Sequence, residues 1–308
     1  MVKIAVAGGS GKIASGIINA LAATKKHEIL IISRREPTVT ENTPGVTWAI
    51  TDYSDRKALT EILHGVHTVL SFVGGAQDPG SVIQKNLIDA AIAAGHRGTT
   101  LVCGEGQYPR VSQRRQQGKE GELISNVLEY TLFQPGLLLD YFVPPGSTTF
   151  PNTQELWIDF NKHRAITLEG KDGVFTLTSV EDLANIVVQA IDYPGEWPVV
   201  GGIQGTTISG SELLKIGANV QNREFDITTL KEEDVRAGNI ESPWIPHFAD
   251  PSLSSEQNQQ FAKLILKGSL LSGLARSWVV SDEWNRLLPD YKFTRAWEFL
   301  EKHWVGKG

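Results

Sequence analysis

The stretch VAGGSGKIASG, from Val6 to Gly16, constrains this chain more than any other. Gly8, Gly9 and Gly11 surround Ser10, Lys12 follows at once, and an apolar helix pattern begins at Ile13. The residues before it, Lys3 to Ala7, read as a short buried strand. A strand that turns through glycines straight into a helix leaves unpaired amides at the helix start, where positive potential favours an anion. Two anionic ligands use such turns. A nucleoside triphosphate requires Gly, four residues, then Gly-Lys-Ser/Thr. Here the first of those positions is Val6, and Ile13 stands where the magnesium-binding hydroxyl belongs. A dinucleotide requires G-x-G-x-x-G/A between a strand and a helix. Gly9-Ser10-Gly11-Lys12-Ile13-Ala14 meets that pattern, as does the framing Gly8-x-x-Gly11-x-x-Ala14. The turn therefore predicts a dinucleotide held by Gly8, Gly9, Ser10, Gly11, Lys12 and Ile13.

Beyond the turn, strand and helix patterns alternate. EILIISRR, VTWAITD, HTVLSFVGG, GTTLVCGEG and YTLFQPG read as strands. Helical patterns separate them at Ile13 to Ala23, DRKALTEILHGV, GSVIQKNLIDAAIAAG and GELISNVLE. Alternation of this kind predicts an α/β fold with a doubly wound parallel sheet. The rhythm breaks after Leu137. Pro144 and Pro145 interrupt it, AITLEG and GVFTLTSV read as strands around a Lys171-Asp172-Gly173 turn, and VEDLANIVVQAI reads as an amphipathic helix. Trp157, Trp197, Trp244, Trp278, Trp284, Trp297 and Trp304 all lie beyond that break and read as core. The expected division is a dinucleotide domain over 1–137, with a returning segment near 174–192, and a smaller α+β substrate lobe over 138–308.

The end of the second strand selects the cofactor. An NAD site places an acidic residue there for the ribose hydroxyls. This chain has Ser33-Arg34-Arg35, whose guanidiniums suit a 2′-phosphate, with Glu36 as a competitor. NADP(H) is the expected cofactor. By position, Asp52 at the end of the third strand is assigned to the adenine edge. Ser71 to Gly75 at the end of the fourth, with Val73 and Gly74, is assigned to the ribose or nicotinamide.

Charge and composition limit the partners. A net charge of −6 at pH 7 gives no basic face for nucleic acid. The run Arg110, Arg114, Arg115, Lys119 reads first as a solvated loop. No segment approaches about eighteen uninterrupted apolar residues, so no membrane span is expected. MVKIAVAGGSG enters a strand pattern without the basic and apolar regions of a signal peptide, which suggests a cytoplasmic protein. Cys103 is the only cysteine and reads as a small buried residue. His163 and His247 are isolated, and no histidine pair has metal-ligand spacing, so no metal is expected. The chain is expected to act as a monomer or homodimer on a small molecule.

Taken together, VAGGSGKIASGIINAL, SRRE, QKNLIDAAIAAG, LEYTLFQPGLLLDYF and LTSVEDLANIVVQAI resemble the NmrA-like, isoflavone-reductase-like group of atypical short-chain dehydrogenases, in its fungal branch. The resemblance runs through roughly the first two hundred residues. It implies an extended Rossmann domain binding NADP(H) and a small C-terminal domain capping the substrate cleft. It also implies a reductase of aromatic or polyketide-like carbonyl or conjugated substrates in secondary metabolism. Some relatives instead sense the dinucleotide without turnover, and a non-redox isomerase or dehydratase on this fold is a further alternative. The Tyr-x-x-x-Lys pair common in short-chain dehydrogenases occurs only as Tyr53 to Lys57, at the adenine side, and reads as coincidence. The resemblance points instead to Lys119 as the catalytic residue, near the start of the helix before the sixth strand. CGEGQY stands where such reductases carry a Ser-Glu-Phe-Gly-like segment, and it keeps only Glu105. Tyr108 in that loop, Gln134 at the end of the sixth strand and Tyr141, after Asp140, are the candidate substrate contacts.

Overall fold

The structure is a computed structural model that describes residues 1–38, 43–74, 78–95, 100–103, 129–150, 155–248 and 254–306. Two compact units make it up. The first comprises Met1–Gln134, Glu181–Ile203 and Ser281–Tyr291; the second comprises Pro135–Val180, Gln204–Val280 and Lys292–Gly308.

The first unit is built on β1 (Lys3–Ala7), β2 (Glu28–Ser33), β3 (Val46–Ile50), β4 (Thr68–Ser71), β5 (Thr100–Cys103), β6 (Tyr130–Gln134) and β11 (Val200–Gly202). They form one seven-stranded sheet in the order β11-β6-β5-β4-β1-β2-β3. Every neighbouring pair is parallel. Parallel strands covered on both faces carry continuous apolar runs. That explains why Ile4 to Ala7 and Ile29 to Ile32 are all buried. The helices α1 (Lys12–Thr24), α2 (Arg56–Leu63), α3 (Val82–Ala93) and α4 (Val180–Ile191) alternate with the strands, and the short α8 (Glu283–Leu287) joins them from far along the chain. Leu59 and Leu63 of α2 and Leu87, Ala90 and Ala91 of α3 close one core against Ala5, Ala7 and Ile32. The doubly wound parallel sheet expected from the alternation is the observed fold. From β1 the chain winds outward to β3, returns to β4 on the other side of β1, and continues to β11. The winding direction thus reverses between β1 and β4, the place where sheets of this kind open a crevice at their carboxyl edge.

In the second unit, β7 (Leu137–Leu138), β10 (Val174–Thr178) and β12 (Thr206–Ser209) form one sheet. A second sheet holds β8 (Ile158–Asp159), β9 (Arg164–Leu168) and β13 (Asp226–Leu230). The helices are α5 (Gly210–Gln221), α6 (Glu232–Ala237), α7 (Ser255–Leu274) and α9 (Ala296–Trp304). Ser209 with Glu212 and Ser254 with Gln257 form capping boxes at the starts of α5 and α7.

The structure adds detail to the sequence expectations for the later part of the chain. AITLEG and GVFTLTSV do form strands, but β9 pairs with β8 and β13 while β10 pairs with β12 and β7. They are members of two sheets joined by a turn. The segment returning to the first unit is 181–203, with 281–291 added, and β10 stays in the second. Trp197 and Trp284 accordingly belong to the first unit, where Trp284 stacks on Phe133 at 5.2 Å and meets Trp197 edge-on at 5.6 Å. Of the late tryptophans, Trp157, Trp197, Trp284 and Trp304 are core, whereas Trp297 is exposed.

One buried histidine gives the first unit a pH dependence. The His27 side chain is buried, with Nε2 3.3 Å from Asp192 Oδ1, and Lys26 Nζ lies 2.9 Å from the same carboxylate. Burial holds His27 below its ordinary value of 6.5, while Asp192 pulls it up and the chain N-terminus, Lys26 and His67 push it further down. The unfolded chain therefore takes up this proton at a higher pH than the folded one. The contribution to stability is full above about pH 6.5 and is lost as pH falls from there through the lower folded value. His27→Gln is expected to flatten the loss of urea-unfolding free energy between about pH 7 and pH 5. An unchanged slope would assign that titration to another group.

Candidate functional site

The carboxyl edge at β1 is shaped by glycines that have no room for a side chain. Gly8 adopts φ +70°, and a Cβ there would lie 2.9 Å from the carbonyl carbon of Phe72 and 3.1 Å from the amide nitrogen of Val73. A Cβ on Gly9 would lie 2.7 Å from Ile31 Cγ2 and 3.2 Å from Ile18 Cδ1. The first glycine lets two backbones pass, and the second lets α1 settle on β2. The turn closes on itself through a 3.0 Å bond from the Gly11 amide to the Gly8 carbonyl. Gly11 is the N-cap of α1, its residue type supplies no capping side chain, and the first turn contains no acid. Ser10 and Lys12 are exposed, and Gly8, Gly11 and Ile13 are half-buried. A helix start that is left uncapped and approached by glycine backbone is suited to a pyrophosphate.

The end of β2 carries the two arginines. Ser33 is buried, and its Oγ accepts the Arg35 amide at 3.2 Å. Arg34 and Arg35 are both exposed just beyond it. Arg35 Nη1 donates to the Glu36 carbonyl at 3.1 Å, so the expected competitor meets Arg35 through its backbone. Exposed guanidiniums at this strand end suit a phosphate on the ribose.

The remaining predicted cofactor residues are engaged locally. Asp52 Oδ1 accepts the Ser54 amide and hydroxyl, each at 2.8 Å. Those bonds hold the Asp52 carboxyl below its ordinary value. The Asp52 side chain thus shapes its own loop. Ser71 is buried and its Oγ accepts Gln84 Nε2 at 2.8 Å. Its side chain is thus spent on supporting the sheet edge. Val73 is buried and Gly74 half-buried. Asp78 steadies the same edge, accepting the Ile83 and Gln84 amides at 2.8 and 3.0 Å.

Sequence reasoning missed Tyr53. Its side chain is 3% exposed, and its hydroxyl accepts the Gly8 amide at 3.1 Å and donates to the Ile32 carbonyl. Its backbone is left-handed at φ +67°, an unusual state for an aromatic residue. Asn86 Nδ2 holds its carbonyl at 2.9 Å, and Arg56 Nε in turn holds Asn86 Oδ1 at 3.1 Å. Burial pushes the phenol above its ordinary value, while the Gly8 amide and the Arg34 charge pull it down. With its hydroxyl spent on two backbone groups, Tyr53 forms no proton-transfer pair with Lys57. The signal was a large aromatic residue inside the polar turn TDYSD.

Gln134 ends β6, half-buried, and its carbonyl accepts the Ile203 amide at 3.0 Å. In the second unit Tyr141 is half-buried and meets Phe150 edge-on at 5.7 Å, while its buried neighbour Asp140 accepts the Val180 amide at 2.8 Å. Tyr108 and Lys119 lie outside the described residues, as do Glu105 and Gly75. The backbone of Cys103 ends β5.

Known proteins resemble this chain in sequence and in fold. Residues 2–97 match the NmrA-like family. The chain is 26% identical over 234 residues to Oxidoreductase BOA1 of Botryotinia fuckeliana, spanning 73% of this chain and 78% of that protein. Among solved structures it resembles the Citrobacter sp. triphenylmethane reductase complexed with NADP(H), with a TM-score of 0.68, 18% identity, and 98% and 99% of the two chains covered. It also resembles the Escherichia coli NADPH-dependent quinone oxidoreductase QOR2 complexed with NADPH, with a TM-score of 0.66, 18% identity, and coverage of 97% and 99%. The resemblance read from the residues is borne out by the family match, and the structural likenesses establish the Rossmann-like fold. Among the described residues, no helix is long and apolar enough to cross a membrane.

The Gly8 contact gives a direct test of the turn. Gly8→Ala combines a disfavoured φ with a backbone overlap, so it is expected to cost about 2 kcal/mol or more of stability. Thermal unfolding measures this, and a midpoint equal to wild type would show that the Phe72 backbone yields easily.

Proposed function

We propose that this chain is an NADPH-dependent reductase. The observation that carries the reading is the pairing of an uncapped, glycine-built helix start with two exposed arginines at the neighbouring strand end. Supporting it are the match to the NmrA-like family, the oxidoreductase relative, and a fold shared with reductases solved with NADP(H) or NADPH. Gly8 and Gly9 shape the turn, the backbone from Ser10 to Ile13 receives the pyrophosphate, and Arg34 and Arg35 grip the 2′-phosphate. The Phe72 to Gly74 backbone lines the crevice beyond. Bound there, the nicotinamide supplies a hydride.

The chain itself must then meet the negative charge that develops on the substrate. We assign that task to Lys119, whose ammonium donates a proton to the substrate oxygen directly or through water. The assignment rests on the family resemblance. The substrate class we propose is a small aromatic or polyketide-like carbonyl or conjugated compound of secondary metabolism, contacted by Tyr108, Gln134 and Tyr141. The altered CGEGQY loop favours a substrate unlike those of isoflavone-type reductases.

Titration of the purified protein with NADPH and NADH is the first test. Replacing Arg34 and Arg35 with alanine removes charge-assisted bonds to the 2′-phosphate. NADPH binding is expected to weaken about 10- to 100-fold with little change for NADH. Equal loss for both cofactors would remove the 2′-phosphate assignment. Oxidation of NADPH against aromatic ketones, quinones and enones tests the chemistry. In that assay Lys119→Ala is expected to lower kcat about 100-fold or more while cofactor affinity holds. Full turnover by the variant would return Lys119 to the solvated surface.

A further inference from the structure

Tyr53 is half of a coincidental Tyr-x-x-x-Lys, and the proposed chemistry gives it no proton to move. Its contacts suggest another task. The hydroxyl bridges the amide of Gly8, where the glycine turn begins, and the carbonyl of Ile32. Ile32 immediately precedes Ser33 and Arg34, so that carbonyl marks the point from which the arginines leave the sheet. One phenolic oxygen thus joins the two strand ends that the cofactor reading assigns to the pyrophosphate and the 2′-phosphate.

We propose that Tyr53 is a positioning residue that sets the choice between NADPH and NADH by holding the glycine turn and the Arg34 branch in fixed relation. The inference rests on the cofactor reading and adds a residue to it.

The local construction supports this role. The Gly8 amide is drawn down toward Tyr53, while the Gly8 carbonyl is taken by the Gly11 amide at 3.0 Å, so both hydrogen-bonding groups of that residue are fixed. What remains for an anion is the far side of the turn. Tyr53 is itself clamped: Asn86 holds its carbonyl at 2.9 Å, Thr51 Oγ1 accepts its amide at 3.3 Å, and the Thr51 amide reaches the Ser33 carbonyl at 2.8 Å. The clamp closes a ring of bonded residues from Ser33 through Thr51 and Tyr53 back to Ile32. A left-handed aromatic residue persists only where its surroundings over-determine it, and such strain clusters at binding sites. The Arg34 charge acts on the same phenol, so the guanidinium lies within electrostatic reach of the bridge.

Tyr53→Phe keeps the ring and deletes the bridge. NADH uses only the turn, whereas NADPH uses the turn and the arginines together. The variant is therefore expected to raise the Kd for NADPH about tenfold and that for NADH about threefold, which narrows the preference by about threefold. A second comparison separates positioning from general loosening. If Tyr53 acts through Arg34, then Tyr53→Phe placed in an Arg34→Ala chain leaves the NADPH-to-NADH ratio where Arg34→Ala alone put it. Asn86→Ala, which frees the Tyr53 carbonyl and keeps the hydroxyl, is expected to narrow the ratio in the same direction and serves if Tyr53→Phe does not fold. A folded Tyr53→Phe chain with the wild-type ratio overturns the proposal and leaves the cofactor reading intact. So does a ratio change of equal size with and without Arg34. A wild-type chain that binds neither dinucleotide removes the cofactor reading and this inference with it.

Discussion

The carboxyl edge of the large sheet depends on one close approach, that of the Gly8 backbone to Phe72 and Val73. β1 is flanked by β2 on one side and β4 on the other, and the chain leaves β1 and β4 by different routes. Before they separate, the first residues beyond the two strands must pass each other. Any side chain at position 8 would fill that passage. Gly9 then brings Ile31 and Ile18 together, which seats α1 on the sheet. These two glycines are consumed by packing. The exposed part of the motif, from Ser10 onward, is what remains to meet a ligand. A glycine-rich turn of this kind thus separates into residues that permit the crevice and residues that face it.

Much of this was legible because it obeys local rules. The strands KIAVA and EILIIS are buried on both faces, so they appear as unbroken apolar runs, and alternation with helices implies parallel order. The turn was legible from spacing alone. Tyr53 was not, because its partners Gly8 and Ile32 lie 45 and 21 residues away and no periodicity links them. Asp52 lies at the other extreme. Its bonds to Ser54 follow a local rule, since an Asp commonly accepts hydrogen bonds from the residue two positions on. Lys119 and Tyr108 rest on resemblance and lie outside the described residues.

The division into units resisted a linear reading for a topological reason. A chain that crosses between units several times leaves no shift in composition at each crossing. Yet one signal was present in Gly201-Gly202. Consecutive glycines in a strand allow close approach of another backbone. Here a Cβ on Gly202 would lie 2.1 Å from the Ser281 carbonyl oxygen, and one on Gly201 would lie 2.6 Å from Trp284 Nε1. The Gly202 amide also donates to Glu283 Oε2 at 3.0 Å. Those contacts draw 281–291 into the first unit and explain why Trp284, far along the chain, is fully buried against Phe133.

On the proposed reading, discrimination between two cofactors that differ by one phosphate falls to two exposed arginines. Exposed charges are screened within about 10 Å at ordinary ionic strength, and the chain as a whole is acidic. A long-range field therefore contributes little. What can discriminate is geometry: guanidinium groups presented at a fixed distance from the turn, so that hydrogen bonds form without reorganisation. Long, flexible side chains supply such geometry only when their roots are immobile. The roots here are Ser33, buried and bonded to the Arg35 amide, and Ile32, whose carbonyl is tied to Tyr53. The flexible parts of the site thus stand on rigid ones, and the rigid ones are hydrogen-bonded to the same backbone that shapes the glycine turn.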